Sequence, residues 1–350
     1  STIDPTLRYA MVALEAMSVL GIDYAVDPNL PRFVDSRANT QAVDFLQYPE
    51  DTLRFSAGDC DDLSILYASL LEAAGVPAGF VTVPGHLFAA ARLAITPEQA
   101  AETFSNPDDY IVHDGWVWVP VETTISHEGF LTAWKTGARQ WQTAKAQGNA
   151  ELIPLSEAWQ EYPPSIPISA TEEKSLDSAR LTDQVGGELL RFVQSEFAPA
   201  IERLEQQIAG GVRTGRAYTN LGVLYAQAGL LELAEEQFLS ALEIERQAGA
   251  LINLANIRRV SEDYEAALLL YREAESLRPS STQLWLAIAL TLRELNRIEE
   301  SEAYYARYAE RRPNSAAAFS YLGNPGEGRA RASLPATDAA LPLWEVVDEE

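Results

Sequence analysis

Three large aromatic residues, Phe238, Tyr271 and Tyr305, stand 33 and 34 residues apart, each in the same pattern of neighbours. Small residues, Gly222, Ala255 and Ala289, recur 16 positions before each of them, and Ala241 and Ala274 follow the first two by three. Around these positions Tyr218, Leu221 and Tyr225 open one unit, Leu251, Leu254 and Pro279 mark a second, and Trp285, Ile288 and Pro313 a third. A period of that length fits one helix pair per repeat, with the small residues letting the two helices approach closely and the large ones filling the gaps between repeats. Residues 213–320 are therefore read as an all-α domain of three repeats, the second the most degenerate.

This set resembles the tetratricopeptide repeat. The resemblance implies a curved array with a concave surface that binds a protein or peptide partner, or else a brace for the rest of the chain. Residues 321–350 hold Gly, Pro, Ala and acids without a lasting period and read as a mobile tail, in which Leu341-Pro342-Leu343-Trp344 is a segment able to dock. Upstream, residues 166–212 read as a helical linker, with one long helix or two over 181–209, broken at Gly186-Gly187 or at Pro199. The Pro- and Ser-rich stretch 163–171 sets the boundary with what precedes it.

Residues 1–165 are organised around Gly58-Asp59-Cys60-Asp61-Asp62. Gly58 permits a sharp turn, Asp59 is a good N-cap, and apolar residues follow at helical spacing until Gly75. Cys60 thus falls in the first turn of a helix, where unpaired N–H groups and the helix dipole favour an anion such as a thiolate. A buried cysteine serving as a small hydrophobe is the structural alternative. Downstream, His86 follows Pro84-Gly85 at the start of the second strand of a hairpin. Glu122 ends a further hairpin built on Asp114-Gly115. Nucleophile, base and orienting carboxylate would then be Cys60, His86 and Glu122. His113 and His127 are the competing bases, read as surface residues.

The pieces Gly58-Asp59-Cys60, Gly75-Val76-Pro77, His86 and Trp118-Val119-Pro120-Val121-Glu122-Thr123-Thr124 resemble the transglutaminase-like branch of the papain-like cysteine enzymes, whose pattern is G-x-C, G-[IV]-P, a strand histidine and W-x-x-[VI]-D-x-T. The resemblance covers roughly residues 40 to 125. It departs at Glu122, where the family has Asp. It implies an α+β papain-like, transglutaminase-like domain of antiparallel sheet and helices. It also implies thiol-dependent acyl transfer on peptide or protein amides, with hydrolysis (peptidase or amidase action) favoured over crosslinking to an amine. No cofactor is required. A bacterial group of such peptidases carries G-D-C-[ED]-D with calcium on the acids, which would place Ca²⁺ on Asp59 and Asp61; helix capping is the structural alternative for these acids. The competing function is a non-catalytic repeat scaffold with an inactive first domain.

Around the cysteine, residues 7–20 read as an amphipathic helix closed by Gly21, 41–48 as a short helix or strand, and 53–55 as extended. Residues 96–104 read as a helix capped by Thr96, 128–147 as a helix whose aromatic stripe (Phe130, Trp134, Trp141) packs in the core, and 155–162 as a short helical segment. The chain carries 51 acids against 26 bases, a net charge of −25, which argues against nucleic acid or anionic lipid as partner. A single cysteine forbids an internal disulfide. No apolar run approaches the length of a membrane span, and no signal peptide is read in the chain, which starts at Ser1; either bacterial periplasm or cytoplasm suits it.

Overall fold

The computed structural model describes residues 3–26, 46–161, 163, 174–211, 214–323 and 344. The chain divides into two compact units, Ser1–Glu196 and Phe197–Glu350.

In the first unit, α1 (Pro5–Val19) begins where the Asp4 carboxylate accepts from the amides of Thr6 and Leu7, and ends before Gly21 at φ 67°. β1 (Asp23–Tyr24) pairs in parallel with β2 (Ala57–Gly58), Tyr24 opposite Gly58. Between them α2 (Pro49–Phe55) takes in Leu53-Arg54-Phe55, which the sequence reading made extended. Pro49 in the first turn, Glu50 and Asp51 beside it, and the Arg54–Asp51 ion pair favour the helix, and Ser56 in the left-handed region stops it. Of the stretch 41–48, residues 41–45 lie outside the described residues, and 46–48 form no helix or strand.

α3 (Cys60–Ala73) leads into β3 (Ala78–Val83) and β4 (His86–Arg92), joined by Pro84-Gly85 with Val83 paired to His86. α4 (Pro97–Thr103) starts with a capping box between Thr96 and Gln99. β5 (Ile111–His113) and β6 (Trp116–Val121) form the second hairpin, with Asp114 and Gly115 both at positive φ, as a two-residue type I′ turn demands. α5 (Phe130–Ala146), β7 (Glu151–Pro154), α6 (Leu155–Glu161) and α7 (Ser178–Glu196) complete the unit. β7 was not foreseen. Glu151-Leu152-Ile153-Pro154 is too short and too mixed to announce a strand, and it is one only because β3 offers an open edge.

Among the described residues the main sheet runs β5-β6-β4-β3-β7, antiparallel throughout. Alternation along β4 turns Phe88 and Ala90 to one face, where they pack with Trp118 and Trp141 of α5, and Ala89 and Ala91 to the other, towards α3. α5 lies so close to β6 that a Cβ at Gly137 would sit 2.8 Å from the Pro120 carbonyl oxygen. The stripe of α5 is core: Phe130 and Trp134 are fully buried, and Trp134 stacks on Phe192 of α7. Gly129, at φ 88°, brings no side chain to cap α5; the buried carboxylates of Glu15 and Glu188 accept from the amides of Phe130 and Leu131 instead.

In the second unit α8 (Ala198–Ala209) precedes three helix pairs. These are α9 (Thr214–Ala228) with α10 (Leu231–Ile244), α11 (Ala248–Val260) with α12 (Tyr264–Leu277), and α13 (Thr282–Glu294) with α14 (Ile298–Arg311). α7 runs unbroken through Gly186-Gly187, and the break falls at Phe197, two residues before Pro199. Phe238 and Tyr271 are fully buried, and a Cβ at Gly222 would lie 2.6 Å from the Phe238 ring. Most of the tail, and of the stretch 163–171, lies outside the described residues.

Candidate active site

Cys60 is the first residue of α3 and is half-buried. Asp59 and Asp62 close the capping box reciprocally: the Asp59 carboxylate accepts from the Asp62 amide, and Asp62 from the Asp59 amide. Asp62 is further held by Gln47, whose backbone N–H donates at 2.7 Å and side-chain amide at 2.6 Å. Gly58 does not take positive φ here; its place is fixed by space, since a Cβ would lie 2.6 Å from the Asp62 Cβ. The Ser64 hydroxyl donates to the Cys60 carbonyl at 2.6 Å and pairs with the Thr123 hydroxyl at 3.0 Å, tying the first turn of α3 to the segment after β6.

His86 opens β4, and Glu122 stands just past the end of β6, the neighbouring strand. Their side chains meet, His86 Nε2 to Glu122 Oε2 at 2.6 Å. The Cys60 side chain is the largest influence on the imidazole, followed by Glu122; together they outweigh burial and raise its pKa from 6.5 to about 9. Burial pushes the Glu122 carboxyl up, but hydrogen bonds from His86 and Thr124 bring it below its ordinary value. The Thr124 hydroxyl donates to Glu122 Oε1 at 2.7 Å and its amide at 3.2 Å, so the buried carboxylate has partners at both oxygens. The longer side chain at 122 still reaches the ring. Cys60, His86 and Glu122 are thus brought to one place, whereas His113 sits at the β5–β6 turn beside Asp114 and His127 is exposed.

The Cys60 sulfur and one oxygen each of Asp59 and Asp61 lie within 4.8 Å of one another. Burial, then the hydrogen bond and charge of Asp61, hold the Asp59 carboxyl well above the usual carboxylate range. Two carboxylates of this kind fit a cation in charge. In ligand number they fall short among the described residues, because Ca²⁺ takes six to eight oxygens and Asp62 is engaged by Gln47.

Tyr24, Thr124, Gln47 and Ser64 had no role in the sequence reading. The parallel β1–β2 pairing sets Tyr24 beside the cysteine turn, where its phenol is pushed up by burial and then by Cys60, Asp59 and Glu122. A two-residue strand has no sequence period to announce it. Thr124 was readable, being the final residue of the quoted W-x-x-[VI]-D-x-T pattern.

In the second unit, residues 215–247 and 252–316 match tetratricopeptide repeat profiles, so this region is a set of such repeats. Human protein O-mannosyl-transferase TMTC1 is 37% identical over 86 residues, 25% of this chain. The chain spans about a tenth of that curated relative's length. No helix among the described residues is long and apolar enough to cross a membrane.

Proposed function

We propose that the first unit is a transglutaminase-like, papain-like cysteine hydrolase acting on peptide or protein amides, and that the repeat unit binds a protein or peptide partner. The observation that carries the reading is an imidazole hydrogen-bonded to a buried carboxylate, with its pKa raised to about 9 by its interactions with the Cys60 side chain first and then with that carboxylate. At neutral pH that ring is an imidazolium, the proton donor a leaving amine needs, and the attacking nucleophile is the thiolate form of the Cys60 sulfur. The sulfur attacks the amide carbonyl carbon, the carbonyl π pair moves to oxygen, and the collapsing adduct expels an amine that takes the proton of His86. Water, activated by the now neutral His86, then cleaves the thioester and releases acid and free thiol. Glu122, fixed by Thr124, holds the ring orientation in both halves. The Cys60 amide and the Tyr24 hydroxyl are the donors proposed for the oxyanion. No step is routed through a metal, since Asp59 and Asp61 supply too few oxygens for Ca²⁺.

Cys60→Ala is expected to abolish hydrolysis of a casein-derived peptide library, read by mass spectrometry, with circular dichroism and melting unchanged. Turnover that survives in this variant removes the nucleophile. A second reading, an inactive domain serving a scaffold, is favoured by the acids around the sulfur, which oppose a thiolate. Iodoacetamide alkylation separates the two: rapid labelling at pH 6 supports catalysis, and labelling that follows an ordinary thiol supports the scaffold.

A further inference from the structure

Trp344 lies about twenty residues past Gly323, where the described repeat ends, yet it is half-buried. Its ring stacks on Phe238, with centroids 6.5 Å apart and planes at 22°. It packs against the cluster formed by Val223 and Ala226 of α9, Phe238 of α10, and Leu254 and Ile257 of α11. This is the seam between the first and second repeats, whereas Gly323 packs on Tyr305 in the third. A tether of this length extends to at most about 70 Å. Tryptophan brings a large apolar area and a rigid ring of only two torsions, the properties of an anchor residue.

We propose that the seam between the first two repeats is an aromatic-anchor site, occupied in the free chain by its own Trp344, and that peptides binding there present a large aromatic side chain. This deepens the reading of the repeats as a peptide-binding surface and is independent of the chemistry at Cys60. A resident tether holds its anchor at an effective concentration in the millimolar range, so an incoming peptide of the same sequence competes at a disadvantage.

The test is fluorescence anisotropy of a labelled peptide spanning residues 339–350, titrated with the full-length chain and with full-length Trp344→Ala. The variant is expected to bind the peptide at least tenfold more tightly than the wild type, and a peptide with Ala at the anchor position is expected not to bind. Hydrogen exchange should quicken several-fold in the C-terminal halves of α9 and α11 in the variant, with melting of the first unit unchanged. Equal peptide binding by the two proteins, or unaltered exchange, overturns the proposal. Light scattering that shows the wild type to be a dimer dissociated by Trp344→Ala would replace the intramolecular occupant with a second copy. If the variant captures other peptides but not this one, the repeats remain a binding surface and only the anchor is lost.

Discussion

The chemistry of His86 is set by what stands at each ring nitrogen, and that makes it testable by pH. Its pKa is raised from 6.5 to about 9, so its contribution to stability is present in full below about 6.5 and disappears as pH rises through about 9. Glu122 is lowered, so its share is present above the ordinary carboxylate value and is lost as pH falls through its folded one. The pH-dependent part of the stability difference between wild type and His86→Ala, measured by urea unfolding, should therefore be greatest near about pH 6 and be lost above about pH 9. Glu122→Gln keeps the shape but removes the charge; iodoacetamide labelling of Cys60 at pH 6.5 should slow about tenfold or more, one pKa unit of the imidazole being a factor of ten. Tyr24→Phe should lower kcat about tenfold with KM and melting nearly unchanged, as befits a donor used only in the transition state. Of these residues Cys60, His86 and Glu122 were legible in the sequence through helix-start and strand patterns. Tyr24 was not, because its position depends on a pairing between segments thirty and more residues apart.

At the scale of the element, α5 and the first repeat show how much rests on groups supplied from elsewhere. The N-terminus of α5 is capped by Glu15, whose carboxyl burial raises to about 7, offset in part by the Phe130 amide. A carboxyl raised on folding destabilises the protein as pH climbs from its unfolded value through its folded one. Glu15→Gln, which retains the acceptor, should therefore gain on wild type between about pH 4.5 and about pH 7 and keep that advantage above it, read as the difference in urea midpoint. In the first repeat, Gly222→Ala forces a Cβ to 2.6 Å from the Phe238 ring. Its expected cost is about 1–3 kcal/mol, an overpacking effect that outweighs the better helix propensity of alanine. The helices and hairpins were readable because each carries its own start, stop and period: Thr96-Pro97, Asp114-Gly115, and the 33-residue spacing. α2 and β7 escaped because the first is only about two turns long with no capping side chain to announce it and the second exists only as an added edge.

For the whole molecule, the two compact units predict that site and scaffold can be separated by mutation: Cys60→Ala should leave peptide binding by the repeats unchanged, and Trp344→Ala should leave Cys60 labelling unchanged. What the sequence determined by itself was local: periods of 2, 3.6 and about 33 residues, the residues that cap and turn the chain, and therefore the identity of a repeat array and of a cysteine at a helix start. Only the tertiary structure decided that the imidazole of residue 86 stands between a sulfur 26 positions upstream and a carboxylate 36 positions downstream, that Tyr24 lies beside them, and that Trp344 seats on the first two repeats. The physical reason is that capping and periodicity act over a few residues along the chain, whereas strand pairing and packing join groups whose sequence separation leaves no local trace.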